Sequence, residues 1–212
     1  MIASAIGSAA VVLVSLGDGL GDALAEIATA LRVPVLLAAA LALLACAFEV
    51  GRYGAELWRR HRRGGTSLSA LLKAALAEPS SVALYAYRAP SAFAETALRQ
   101  IVAAATAHRP AEVEHALADY ELSVQRRLDR TRILVRAGPA IGLMGTLIPL
   151  APGLAALGDG NVAMLADDLR DAFAATVIGL LVGTVAFALT LSRTRMYTED
   201  LTALERGGEV AR

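Results

Sequence analysis

Residues 137–157 read AGPAIGLMGTLIPLAPGLAAL, and residues 172–192 read AFAATVIGLLVGTVAFALTLS. Neither stretch carries a charge. Each matches the roughly 17 to 25 residues that a helix needs to cross a hydrocarbon core. A buried helix of a soluble protein seldom stays uncharged beyond about 10 to 14 residues. A third apolar run, Val33 to Phe48, is shorter and lies between Arg32 and Glu49. It is long enough to span if Arg32 snorkels outward and the helix continues through Val50 and Gly51.

The rest of the chain agrees. It has 212 residues, 56% of them hydrophobic and 19% charged, with a mean hydropathy of +0.54. A soluble domain is nearer a quarter charged. Twenty basic residues balance 20 acidic ones, which argues against a nucleic-acid binder in need of a basic face. The single cysteine, Cys46, excludes an intramolecular disulfide framework and a cysteine-built zinc site.

The charges at the ends of the runs set an orientation. Arg52, Arg59, Arg60, Arg62 and Arg63 follow the run at 33–48. Arg126, Arg127, Arg130, Arg132 and Arg136 precede the run at 137–157, and Arg193 and Arg195 follow that at 172–192. Basic residues mark the cytoplasmic side. Asp159, Asp167 and Asp168 then fall outside, as do Asp18, Asp22 and Glu26. The expectation is an all-α protein of the inner (cytoplasmic) membrane, with its N-terminus outside, three spans and its C-terminus in the cytoplasm. The segments are an outer apolar and amphipathic segment at 1–32, a first span at 33–51, a helical cytoplasmic domain at 52–132, a second span at 133–157, an outer loop at 158–170, a third span at 171–192, and a cytoplasmic helix at 193–212. In the first segment, Leu20, Leu24, Ile27 and Leu31 form a helical stripe that predicts a helix lying on the outer surface. Residues 1–17 lack the basic start of a signal peptide and leave a fourth span open.

Within 52–132, Pro79, Pro90 and Pro110 break helices, and Gly64-Gly65 before Thr66 and Ser67 reads as a loop and a helix start. Val113, Leu117, Tyr120, Val124, Leu128 and Thr131 recur at spacings of three and four, one apolar stripe of a long helix. No Gly or Pro intervenes before Gly138-Pro139, so that helix is expected to run on into the second span. The third span is expected to extend likewise through Tyr197, Leu201 and Leu204.

The last two spans are not made like simple anchors. The second holds Gly138, Gly142, Gly145, Thr146 and Gly153, with Pro149 and Pro152 placed to bend it. In the third, Thr176, Gly179, Gly183, Ala186 and Thr190 form one small or hydroxylated stripe. Small residues let helix backbones approach closely, so both spans belong to a helix–helix interface. Thr146 and Thr176 either bond their own helices or line a polar path. Asp171, at the start of the third span, either serves the helix N-terminus or is an ionisable group facing a bundle interior.

Pro139, Gly142, Leu143, Gly145 and Thr146 make P-x-x-G-L-x-G-T; Asp171, Ala172 and Thr176, followed by Gly179, make a second signature. Together, in this order and topology, they resemble the second- and third-span signatures of the MotA/TolQ/ExbB proton-channel family. The architecture matches throughout, and the motif identity covers about residues 137–190. The resemblance implies a stator: a homopentamer around two copies of a single-span partner of the ExbD/TolR/MotB kind, whose intramembrane aspartate takes up the ion. It implies that Thr146 and Thr176 line the pore, that Asp171 stands near its outer part, and that ion flow drives mechanical work on a distant target. Two departures point to an outlying branch: Asp171 stands where a glutamate is usual, and Pro149 where glycine is common.

No acid or base lies at the middle of any span, so this chain alone is not a complete proton pathway. Gly19-Leu20-Gly21-Asp22 spells the GxGD of intramembrane aspartyl proteases but lacks a second aspartate on a facing span. Glu112 and His115 match half of a di-iron helix motif without the second half. His61, His108 and His115 have no metal-ligand spacing, and no nucleotide or hydrolase motif is present. The expectation is a non-enzyme with no cofactor and no metal. Its rivals are a non-conducting membrane scaffold and a small secondary transporter.

Overall fold

The computed structural model describes residues 2–63 and 67–209; along the first helix, side chains are described at 23, 26 and 27 and over 29–62. The described residues are helical, with no strand. Helix α1 is Ile2–Arg63, α2 Leu68–Ala77, α3 Val82–Tyr87, α4 Ala92–Thr106, α5 Pro110–Gly158 and α6 Val162–Glu209, with a 3₁₀ turn at Pro79–Ser81. Three of these, α1, α5 and α6, are long and apolar enough to cross a membrane. The chain divides into two compact units, Met1–Leu44 with Arg136–Gly183 and Ala45–Val135 with Thr184–Arg212.

In the first unit, α5 and α6 form an antiparallel hairpin packed backbone to backbone. A Cβ added at Gly138 would stand 2.7 Å from the Gly179 carbonyl oxygen and 2.8 Å from the Gly183 nitrogen. One added at Gly179 would stand 2.7 Å from the Gly142 Cα, and one at Gly145 would collide with the Ala175 side chain. The small residues read from sequence are thus the contact itself, as expected where close approach replaces a hydrophobic driving force. Val35, Ala39 and Ala42 of α1 are also buried.

The hairpin turn corrects one expectation. The outer loop read at 158–170 shrinks to 159–161. Gly160 adopts φ +79°, the Asn161 N–H bonds the Ala156 carbonyl at 2.8 Å, and the Gly160 N–H bonds the Leu157 carbonyl at 3.0 Å. This is a Schellman ending, which needs a left-handed residue that glycine supplies without strain. Asn161 then caps α6 by accepting from the Met164 N–H at 3.1 Å. Residues 162–170 are therefore helix.

A second correction concerns the N-terminal segment. No break separates it from the first span, because α1 is continuous from Ile2 through Pro34 to Arg63. Residues 18–32 are part of that helix rather than a separate surface element. Leu20 and Leu24, with Asp18 and Asp22, lie outside the described side chains, whereas Ile27 and Leu31 are exposed.

The second unit has its own apolar core. Ser67 caps α2 by accepting from the Ala70 N–H, and Ser91 caps α4 by accepting from the Ala94 N–H; Thr66 lies outside the described residues. Leu68, Leu71 and Leu72 of α2 and Leu98, Ile101 and Val102 of α4 are buried together. Against them pack Val113, Tyr120, Val124 and Leu128 of α5, with Tyr197 and Leu204 of α6. Leu117 is partly buried against this cluster, and Thr131 is fully buried. The three-and-four stripe therefore marks the buried face of α5. Helix α4 ends in a second Schellman turn, with His108 at φ 55° in the position glycine usually takes.

Candidate functional site

Asp171 is not at a helix start. Because α6 begins at Val162, Asp171 lies roughly 13 Å along its axis at 1.5 Å per residue. The helix dipole acts mainly within the first turn, so capping does not explain this residue. Its partner is Arg32 of α1, whose Nη2 reaches the Asp171 carboxylate at 3.1 Å and that of Asp168 at 2.9 Å. Arg32 therefore bridges two acids of α6. The two acids differ. Asp168 is 3% exposed, with one carboxylate oxygen unbonded close to where a Gly153 Cβ would stand. The Asp171 side chain is half exposed. Burying a carboxylate without a counter-charge is costly, so Arg32 fixes Asp168 in place and leaves Asp171 accessible.

The Thr176 hydroxyl donates across the hairpin to the Gly142 carbonyl at 3.2 Å and along its own helix to Ala172 at 3.3 Å. The close approach of Gly142 brings that carbonyl within reach. Thr146 donates to the Leu143 carbonyl of its own helix at 2.7 Å. Thr190 lies in the second unit and bonds the Ala186 carbonyl at 2.8 Å. The structure thus brings Thr176, Gly142, Gly179 and Gly183 into one contact. Arg32 and Val35 of α1 line a small recess with Gly145, Pro149 and Asp171. Helix α5 passes through Pro149 and Pro152. Each proline lacks the N–H that would bond the carbonyl four residues earlier, at Gly145 and Ile148.

The second unit holds a charged ladder that sequence reading missed. Arg193, with no exposed surface, donates to Glu49 at 2.7 Å. Tyr53 bonds Ser192, Tyr197 donates to Glu56 at 3.1 Å, and Arg60 pairs with Asp200. Burial pushes the Tyr197 hydroxyl up to about 12, so it keeps its proton and acts as donor. The signal was present: 49, 53, 56 and 60 on α1 and 193, 197 and 200 on α6 each recur at spacings of four and three, but a polar stripe reads as a solvated face until its partner is seen. Among the described residues there is no group of three or more potential metal ligands.

Three long apolar helices, two of them glycine-packed into a hairpin with an acid held by an arginine at its turn end, define a multi-pass membrane protein with a polar helical insertion. Residues 86–205 match the profile of the MotA/TolQ/ExbB proton channel family. That is more than half of the chain, and the protein belongs to this family. Comparison with curated proteins and with solved structures gave no match. The family comprises channel and stator proteins, not enzymes, and they form oligomeric membrane complexes with partners.

Proposed function

We propose that this chain is the pore-forming stator subunit of a proton-driven membrane motor, assembled as a homopentamer around two copies of a single-span partner that carries the intramembrane aspartate. The orientation that fits the arginine clusters has the N-terminus outside and the polar insertion in the cytoplasm, in the inner membrane. One observation carries the reading. Asp171 is a half-exposed acid at the head of the uncharged run 172–192 of α6, balanced by Arg32 yet open to a neighbour. Ionisable groups so placed mark ion pathways. Thr176 lies between one and two turns further along α6, with Thr146 across the hairpin on α5, as hydroxyls that relay without titrating.

Assembly is supported by surface. Only 28%, 28% and 39% of the most apolar windows of α1, α5 and α6 are buried within the chain. Leu143, Leu147, Phe173, Val177, Leu180 and Leu181 are exposed and require lipid or another subunit around them. A non-conducting scaffold is the second reading, favoured by the fact that Thr146, Thr176 and Asp171 are each satisfied within the chain.

The test is the mass of the detergent-extracted complex, alone and with a single-span partner bearing an intramembrane aspartate, followed by ion flux in vesicles. A five-fold assembly holding two partner copies, with flux lost in Thr176→Val and kept in Thr176→Ser, supports the stator. A partner-bound complex that passes no ions in the parent, or whose flux is indifferent to Thr176→Val and Asp171→Asn and so runs elsewhere, favours the scaffold. A monomer or a dimer indifferent to the partner removes the stator reading.

A further inference from the structure

The second unit contains a cavity of about 200 Å³, lined by Arg52, Arg59 and Arg127 and by Pro90 to Phe93 at the start of α4. A water occupies roughly 30 Å³ of liquid, so the space admits a tetrahedral oxyanion. Arg127 is nine-tenths buried, and its Nη1 has no hydrogen-bond partner. Among the described residues its one carboxylate contact is Glu49, on the other terminal nitrogen at 3.8 Å. A buried, unmade guanidinium bond is expensive.

The local charge does not balance. Within the buried ladder Glu49, Glu56 and Asp200 face Arg60, Arg127 and Arg193. Arg52 and Arg59 add two positive charges at the cavity and have no ion pair among the described residues. Glu56 also lines the cavity, but its carboxylate is held by Tyr197 and Arg193. Burial and the nearby Arg193 and Arg52 guanidiniums hold Arg127 below the usual arginine range. The third lining element is a helix start. Ser91 caps α4 through the Ala94 N–H, while the N–H groups of Ala92 and Phe93 precede the first intrahelical bonds. Such a terminus, with its positive dipole end, favours an anion.

We propose that this cavity binds a phosphate group, held by Arg127 and the α4 N-terminus and closed by Arg52 and Arg59. The phosphate of an anionic lipid headgroup and free phosphate share this chemistry. Arg52 directly follows the span read at 33–51, the depth at which headgroup phosphates lie. The assignment is independent of whether the chain conducts ions.

The test uses the full chain in a neutral maltoside detergent, titrated with dioleoylphosphatidylglycerol and followed by native mass spectrometry, and in parallel with sodium phosphate against sodium chloride at equal ionic strength, followed by thermal unfolding. The expected result is one phosphatidylglycerol retained per chain, with affinity falling at least tenfold in Arg59→Glu and in Arg52→Gln. Neither rim substitution should change the unliganded melting temperature, because Arg59 is exposed and Arg52 is only partly buried. Arg206→Glu, on another surface of this unit, should bind as the parent does. Phosphate that stabilises the chain and displaces the lipid identifies a soluble anion as sufficient; lipid retention with no response to phosphate identifies the headgroup as the source. Parent-like lipid binding in both rim variants together with no phosphate response overturns the site, as does an equal loss in Arg206→Glu.

Discussion

Arg193 and Glu49 form a buried ion pair at 2.7 Å that links α6 to α1. The pair begins a series in which sequence separation barely changes: 144 for Glu49–Arg193, 139 for Tyr53–Ser192, 141 for Glu56–Tyr197 and 140 for Arg60–Asp200. A near-constant separation over two to three turns is the mark of parallel helices in register. The polar ladder thereby fixes which turn of α6 faces which turn of α1, a task a uniform apolar seam would perform poorly.

Removing one member of a buried pair leaves an uncompensated charge, at a cost of about 3–5 kcal/mol. Glu49→Gln is expected to destabilise the chain by that order. The double variant Glu49→Gln/Arg193→Met should lose clearly less than the sum of the two singles. Denaturant unfolding of the four proteins in a double-mutant cycle measures the difference, and strict additivity would show that the pair is not a unit.

At the α5–α6 contact, Gly179→Ala is expected to destabilise by about 1–3 kcal/mol, the usual cost of overpacking, because its Cβ would fall 2.7 Å from the Gly142 Cα. Gly51→Ala has nothing within 4 Å and should be neutral or stabilising, since alanine gains helix propensity. Thermal melts of the two in the same detergent make the comparison, and equal melting temperatures would deny the close contact.

Arg32→Gln should lower the melting temperature by several degrees, because Asp168 stays buried without its counter-charge. Adding Asp168→Asn should restore part of the loss. Asp171→Asn, at a half-exposed side chain, should leave the melting temperature nearly unchanged while abolishing ion flux. A loss of folding in Asp171→Asn equal to that of Arg32→Gln would mean that both acids are structural.

Tyr197→Phe removes the hydroxyl that donates to Glu56, at about 1.5–3 kcal/mol for a hydrogen bond to a charged group. The phenol is also held up to about 12 from its ordinary value near 10. A raised folded-state value contributes stability that is complete below the unfolded value and is lost as pH rises through the folded one. The parent should therefore lose stability between about pH 10 and 12 more steeply than Tyr197→Phe. Parallel slopes in pH-dependent melts would refute the assignment.

Much of the contact surface was legible because it obeys a period. The apolar stripe from Val113 to Thr131 and the small residues at 138, 142, 145, 179 and 183 are local patterns, and a local pattern states which face of a helix is special. The turn at Gly160-Asn161 was also written in the sequence, as a left-handed glycine followed by a cap, but the acids beyond it suggested a longer loop. The pairing of Asp168 with Arg32 was not legible for one reason. A charge beside an apolar run is ordinarily solvated or snorkelling, and only a partner distant in sequence makes it a buried bridge.

By itself the sequence determined the three long apolar helices, their small-residue faces and the family, since these depend on composition, length and spacing along one chain. The tertiary structure alone decided that Arg32 joins Asp168 to Asp171, that Glu49 meets Arg193, and that Arg127 keeps a buried nitrogen unbonded. Ion pairing and desolvation are properties of two or more segments at once. No periodicity within a single helix states which charge lies across from it or whether water is there.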